Sequence, residues 1–422
     1  MPKYDLIVVG AGIVGLTSAF YIKKNNPDLS ILVVDKAQTY GQGNTARSAA
    51  GFRDLFTSPI NFNLSHSTIG FYRHIQEEAG FNLGMQFVGY LFLLPRKNRL
   101  DEQLKSLGNK TKLRYLDGDQ ISRVDGLNLE PSKDIAEILG LERIDHAVLG
   151  ENCGIIEPDL VCSYYYNELK SLGVEFSFST EVTALRLEPE NPLNFPGEPF
   201  LWQKKRIGSI ATSRGDMISD QYLLATDVWT TALTDPLGVD SHVRPKKREI
   251  FQVSGDIAQK ILHTPDFNNQ SILPFTIMPH YGVYIRPAPK ENSLWVGVAD
   301  DIGRDFSFEE QPEAREEYYQ NNLRQVLEAY WNRYDSTRLT SMWAGYYCYN
   351  TIDKAPYIYR SMNVTIADGT SGSGILKGDS IGRYVAAVYA GKKEAELYGD
   401  VSVDSSLLGV EGRSVPVEKI IL

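Results

Sequence analysis

Gly10-Ala11-Gly12-Ile13-Val14-Gly15 has the spacing G-x-G-x-x-G, and Asp35 stands 20 residues past Gly15. Residue types in this arrangement bind a dinucleotide. Gly10 allows a tight turn, Gly12 lets the main chain approach a pyrophosphate, and Gly15 lets a helix pack closely on a strand. A helix opening at Ile13 and Val14 would offer unpaired N–H groups and a positive dipole end to the phosphates. The acid at Asp35, with Lys36 beside it, stands where a ribose hydroxyl would be met.

The motif needs carriers on both sides, and the sequence supplies them. Residues 4–9 are short, β-branched and closed by glycine, which predicts a buried strand. Residues 13–25 carry Ile13, Leu16, Thr17, Phe20 and Ile22 on a mostly apolar helical face, ended by Pro27 and Asp28. Residues 30–34 predict the second strand of a βαβ unit. A Gly/Asn/Ser-rich loop follows at 41–51, then a helix over 60–79 and a strand over 85–94. The polar stretch 96–134 reads as peripheral loops and short helices. Pro158 opens a helix to about Ser171, and Gly173 ends it before a strand over 174–177. Further strands are expected at 218–225, 249–253, 282–286 and 294–298. Residues 308–333 read as a polar helical segment. A strand at 364–367, a Gly/Ser loop at 369–374 and a helix over 379–390 complete the pattern.

Composition narrows the function classes. The chain has 422 residues, 43 basic against 53 acidic for a net charge of −10, and no long basic run, so a dedicated nucleic-acid binder is not expected. Cys153, Cys162 and Cys348 are too few and too scattered for a disulfide scaffold or a zinc site, and fit a reducing compartment. The six histidines (66, 74, 146, 242, 263 and 280) have no metal-ligand spacing, so no metal is expected. The N-terminus lacks the pattern of a secretory signal, and no stretch approaches the roughly 20 apolar residues that span a bilayer. A cytoplasmic protein is expected. The apolar Ile420-Ile421-Leu422 is either a packed or disordered tail or a point of peripheral contact with a membrane or partner.

Several further motifs carry a family resemblance. They are Asn44-Thr45-Ala46-Arg47-Ser48-Ala49-Ala50-Gly51, Gly154-Ile155-Ile156-Glu157-Pro158-Asp159 and Leu224-Ala225-Thr226-Asp227-Val228-Trp229. At the far end stand Trp343-Ala344-Gly345-Tyr346-Tyr347, Asp353-Lys354-Ala355-Pro356 and Ala367-Asp368-Gly369-Thr370-Ser371-Gly372-Ser373-Gly374-Ile375. With the dinucleotide motif they resemble the FAD-dependent D-amino-acid oxidase superfamily, in the branch of sarcosine oxidase, glycine oxidase and dye-linked L-proline dehydrogenase. The C-terminal part is also similar to the FAD-dependent oxidoreductase-domain protein that assists complex I assembly.

The resemblance implies an α/β fold. A Rossmann-like FAD domain of the glutathione-reductase type would be assembled from 1–85, 146–229 and 340–422. An α+β substrate domain on an antiparallel sheet would be assembled from 86–145 and 230–339. It implies FAD contacts from the loop residues Thr45, Ala46, Arg47, Ser48, Ala50 and Gly51, and from Val182, whose backbone would meet the adenine side. Ala225, Thr226 and Trp229 would contribute, as would Gly345, Gly369, Ser371, Gly372, Ser373, Gly374 and Ile375. Asp227 departs from the family pattern, which carries glycine there. Counting back from Asp353, the cysteine that links flavin in sarcosine oxidases would fall at Tyr346, not Cys348, so noncovalent FAD is expected.

In this superfamily the substrate gives up a hydride to the flavin, and the protein positions and polarises it. A carboxylate substrate calls for the planar fork of an arginine. Arg53, in Gly51-Phe52-Arg53, is the first candidate, Arg47 the next, and Arg286 resembles a second family clamp. Tyr281 and Tyr284 would line the substrate side, and Lys377 is either an assisting cation or a solvated helix lysine. Trp295 falls where sarcosine oxidases carry a lysine that promotes reaction with oxygen, so an amino-acid dehydrogenase is expected. Its substrate would be a secondary amine such as L-proline or sarcosine, and its acceptor a quinone or redox protein. A 2-hydroxy-acid dehydrogenase and a flavin-binding assembly factor are the alternatives. A homo- or hetero-oligomer is compatible with either.

Overall fold

The computed structural model describes residues 3–96, 98–279 and 281–420. The expected βαβ unit is present: strand Lys3–Val9, helix Ile13–Asn25 and strand Ile31–Val34. Residues 6–9 of the first strand and all of the second are apolar and buried, as burial on two faces requires. They sit side by side in a parallel sheet, flanked by Met217–Leu224 and then Val364–Asp368 on one side and Glu175–Ser177 on the other. An antiparallel pair, Val182–Pro189 with Lys205–Thr212, hangs from Met217–Leu224.

Helices Ile13–Asn25, Pro59–Glu77, Pro158–Ser171 and Gly374–Tyr389 join one core with this sheet. Gly382 lets two of them meet: a Cβ there would lie 2.6 Å from the Thr17 backbone. The last helix begins at Gly374 rather than 379, directly off the glycine-rich loop. It is enclosed on almost every side and buries Lys377, Asp379 and Ser380 in its first turns, so its start carries no amphipathic signal.

The second sheet runs Arg338–Tyr349, Arg244–Ser254, Ser293–Val298, Val283–Ala288, Phe275–Ile277, Tyr90–Leu94, His146–Gly150 and Leu113–Asp117. Its pairs are antiparallel except Phe275–Ile277 with Tyr90–Leu94. It builds its own core with the short helices around it. Strands His146–Gly150 and Arg338–Tyr349 pair in this sheet, although the expected boundaries assign both to the cofactor domain. The helical part of 308–333 is confined to 316–330. Among the described residues no helix is long and apolar enough to cross a membrane. Ile420 is buried in the second core, while Ile421, Leu422 and His280 lie outside the described residues.

Candidate active site

The parallel strands end together, and their C-terminal ends form one wall of a cavity of about 1020 Å³. Ligands of open α/β sheets bind at such strand ends. Gly10, at φ +105°, accepts the turn, and a Cβ on it would lie 2.4 Å from the Ala225 carbonyl oxygen. A Cβ on Gly15 would lie 1.9 Å from the Gly10 carbonyl oxygen, so Gly15 packs rather than lines. Gly12 caps the helix without a side-chain bond, and no acid occupies the first turn, so the positive end stays available to an anion. Asp35 lies at the next strand end, where its carboxylate accepts from Ala11 N at 2.6 Å and Ala37 N at 2.8 Å.

Most of the expected cofactor residues meet at this cavity, Gly12, Ile13, Val14, Lys36, Thr45 and Arg47 among them. From farther along the chain come Val182, Ala225, Thr226, Trp229, Gly345, Gly374 and Ile375. Lys36 pairs with Glu310, which also accepts from Trp229 Nε1 at 2.8 Å. Asn44 ties the loop to the far strand: its Oδ1 accepts from Tyr346 N at 2.9 Å and its Nδ2 donates to Asp227 Oδ1 at 3.1 Å. Asp227 has φ +54°, the left-handed conformation that explains glycine in the family pattern and that aspartate tolerates better than most residues. Burial raises its carboxyl to about 6. Ala46 is exposed and Gly369 is buried; neither lines this cavity or the smaller one beside it.

The cavity fits FAD in kind. Beyond the glycines, Asp368 is buried on its wall, where the Thr230 hydroxyl approaches it but neither carboxylate oxygen has a well-formed hydrogen bond. A buried acid so weakly partnered is costly unless a ligand supplies donors. Burial, and Asp227 nearby, push its carboxyl well above the usual range, and a neutral acid can also donate. Hydroxyl-bearing groups such as those of a dinucleotide suit it.

A second cavity of about 80 Å³ adjoins the first, and the two share Ser48, Ala49, Tyr284, Tyr347 and Gly372 in their walls. Arg53 lines it, as do Ala50, Gly51, Ser371 and Ser373. The Arg53 guanidinium donates to the carbonyls of Leu55 and of Ile420, the latter at 2.9 Å, and lies 4.2 Å from the Phe56 ring centre. Lys377 joins it: the ammonium is buried and donates to Asn61 Oδ1 at 2.9 Å and Ser373 Oγ at 2.7 Å. Burial lowers its pKa to about 7, with Glu418 acting upward and Arg53 downward. Such a lysine can serve as a cation or exchange a proton near neutrality. Tyr90, Tyr284, Tyr347 and Phe275 complete an aromatic wall. Gly51 makes room for it, since a Cβ there would lie 1.9 Å from Tyr90 Oη.

Two expected residues lie elsewhere. Tyr281 precedes the strand, is 59% exposed, and donates its hydroxyl to the Leu139 carbonyl at 2.9 Å. Arg286 is buried behind the loop, where Nε donates to the Ala49 carbonyl at 3.1 Å and the guanidinium stacks on Trp295 at 4.1 Å. It supports the cavity wall without facing the space. Tyr90, Phe56 and Glu418 escaped the sequence reading, and Tyr347 entered it only as part of a motif; each lies in a different segment, and no spacing links them. Cys348 is a buried thiol on the larger cavity's wall, its pKa raised by burial, and its sulfur accepts from Gly369 N at 3.4 Å. Among the described residues no cluster could hold a metal ion.

Comparison with known proteins agrees with this geometry. The family model described as "DAO: FAD dependent oxidoreductase" matches residues 5–388. FAD-dependent oxidoreductase domain-containing protein 1 of Xenopus laevis is 23% identical over 418 residues, covering 91% of this chain and 78% of that protein. Sarcosine oxidase subunit beta of Rhizobium meliloti is 26% identical over 246 residues, covering 57% of this chain and 55% of that one. The structure of L-proline dehydrogenase from P. horikoshii superposes with a TM-score of 0.70 at 21% identity, covering 93% of this chain and 95% of that one.

Proposed function

The chain belongs to the DAO family of FAD dependent oxidoreductases, and on that premise we propose that it oxidises a small amino acid. A secondary amine such as L-proline or sarcosine fits best, with electrons passed to an acceptor other than oxygen. The observation that carries this reading is the pairing of Arg53 and Lys377 in one small aromatic-walled cavity beside the dinucleotide groove. When bound, FAD supplies the acceptor for the electrons of the substrate C–H bond.

The chain's own residues do the rest. Arg53, fixed by two carbonyls and the Phe56 ring, presents its remaining N–H groups to a carboxylate. Lys377 adds a second cation when protonated. Tyr90, Tyr284, Tyr347 and Phe275 exclude water, and an aromatic wall favours a nitrogen that carries positive charge. A cavity of about 80 Å³ suits few atoms beyond that carboxylate and amine.

A non-oxygen acceptor is supported by Trp295, which packs edge-on against Trp343 at 4.8 Å where an oxygen-activating lysine would stand. Arg248, on the wall of the groove, is already offset by the Asp301 carboxylate at 3.3 Å. Noncovalent FAD is supported by the buried, protonated Cys348, because the thiolate is the reactive form.

The test is an anaerobic panel in which loss of the flavin's yellow colour is followed. Bleaching by proline or sarcosine supports the proposal. Bleaching by 2-hydroxy acids alone would replace it with a hydroxy-acid dehydrogenase, and no bleaching would favour a flavin-binding assembly role.

A further inference from the structure

Residues 413–420 are fastened at three points, the last two of them in the wall of the small cavity. Arg413 pairs with the buried Asp353 carboxylate at 2.6 and 2.8 Å. Glu418, 3% exposed, accepts from Thr57 N at 2.9 Å, Thr57 Oγ1 at 2.8 Å and Ser58 N at 3.0 Å. Ile420 is 1% exposed, packs in the core of the second sheet, and its carbonyl accepts from Arg53.

These attachments are specific in kind. The helix Pro59–Glu77 begins at Ser58, whose hydroxyl makes no capping bond and has no partner. The Glu418 carboxylate sits at that end instead, on the N–H groups of Thr57 and Ser58, an anion where the helix dipole favours one. Burial alone would raise the Glu418 pKa, but the N–H groups of Thr57, Ile420 and Ser58, with Arg53, bring it below the usual range. Glu418 therefore enters the cavity wall as a carboxylate. Its Oε2 also lies 3.5 Å from Asn61 Nδ2, and Asn61 holds Lys377.

Glu418 and Ile420 both line the cavity that contains Arg53 and Lys377. Any carboxylate gripped by Arg53 thus lies next to Ile420, whose main chain is bonded to the same guanidinium. We propose that Ile420 sets the size of the substrate group admitted beside the carboxylate, and that Glu418 is the positioning residue that holds Ile420 there. The proposal rests on the carboxylate-substrate reading above. Apolar walls discriminate by roughly 10- to 200-fold for one methylene-sized change, so the effect is readable.

The experiment titrates holoenzyme with acetate and with benzoate, a small and a large inert carboxylate, and follows the flavin spectrum. In the wild type acetate binds at least about tenfold tighter than benzoate. Ile420→Ala narrows that ratio at least about tenfold, and Ile420→Val, the variant that perturbs folding least, narrows it in the same direction by less. Glu418→Gln also narrows it, through loss of positioning. An unchanged ratio in Ile420→Val and Ile420→Ala, or benzoate binding as tightly as acetate in the wild type, overturns the size-setting role and leaves the carboxylate reading intact. If neither carboxylate alters the wild-type spectrum, the carboxylate reading falls and takes this proposal with it.

Discussion

The Lys377 ammonium donates to Ser373 Oγ at 2.7 Å, one helical turn back, so the buried lysine and the glycine-rich loop beside the dinucleotide groove are held by one bond. Burial holds this lysine at about 7 instead of its ordinary 10.5. A carboxylate ligand binds the protonated form better. Its affinity is therefore full below about pH 7 and declines as pH rises through that value, until the amine of the substrate itself titrates. The expected profile of kcat/KM has an acidic limb set by the substrate and an inflection near 7. Lys377→Met should abolish that inflection, and a pH profile of both proteins checks it.

The two arginine candidates separate by position. Arg53 faces the small cavity and Arg286 stands behind the Ala49 carbonyl. Arg53→Ala should lower kcat/KM by on the order of 10- to 100-fold, the range of a lost charge-assisted hydrogen bond of about 1.5–3 kcal/mol. Arg286→Met should change KM for the same substrate by less than about threefold, and should appear as lost thermal stability, because it removes support from a buried loop. Steady-state kinetics together with a melting curve separate the two.

The dinucleotide unit was legible because it is local. The 33 residues from Lys3 to Asp35 contain both strands, the helix, the glycines and the acid, and patterning within them decides each element. The small cavity was legible only in part: Arg53 and Tyr284 were expected on one site, but Tyr90, Tyr347, Lys377 and Glu418 come from separate segments that only the tertiary fold brings to them. Tyr281 and Tyr284 illustrate the limit: three residues apart in one apolar run, one falls in the turn with φ +57° and the other on the strand. Residue type leaves Lys377 open between an assisting cation and a solvated lysine, and only the enclosure of helix Gly374–Tyr389, which leaves it 1% exposed, shows that it is buried. Asp227 was legible only as an irregularity, and its left-handed backbone supplies the reason.

Asp227 also predicts a pH effect on stability. Its folded pKa of about 6 lies above the ordinary 3.8, so the folded state binds the extra proton between those values and stability falls as pH rises through them. Asp227→Asn keeps the shape and the bond to Asn44 and cannot ionise. It should be more stable than the wild type by about 1 kcal/mol at pH 7, a figure reduced for the groove's access to solvent, and equal to it near pH 4. Melting temperatures of the two proteins at both pH values test this.

Electron acceptance is a further consequence. With the Trp295 indole in place of a cation, substrate-reduced holoenzyme should reduce an artificial dye or a quinone at least about 100-fold faster than it reduces oxygen, a barrier difference of about 2.7 kcal/mol. Peroxide formation in air at a rate matching dye turnover would assign an oxidase instead.

The most direct test compares a substrate with its counterpart lacking the carboxylate. L-proline against pyrrolidine, and sarcosine against dimethylamine, are mixed with holoenzyme without oxygen while the flavin colour is followed. A carboxylate gripped by Arg53 and Lys377 beside the FAD groove predicts rapid bleaching by the amino acid of at least one pair and none by its counterpart. Equal bleaching by both members of each pair, or by neither, contradicts it.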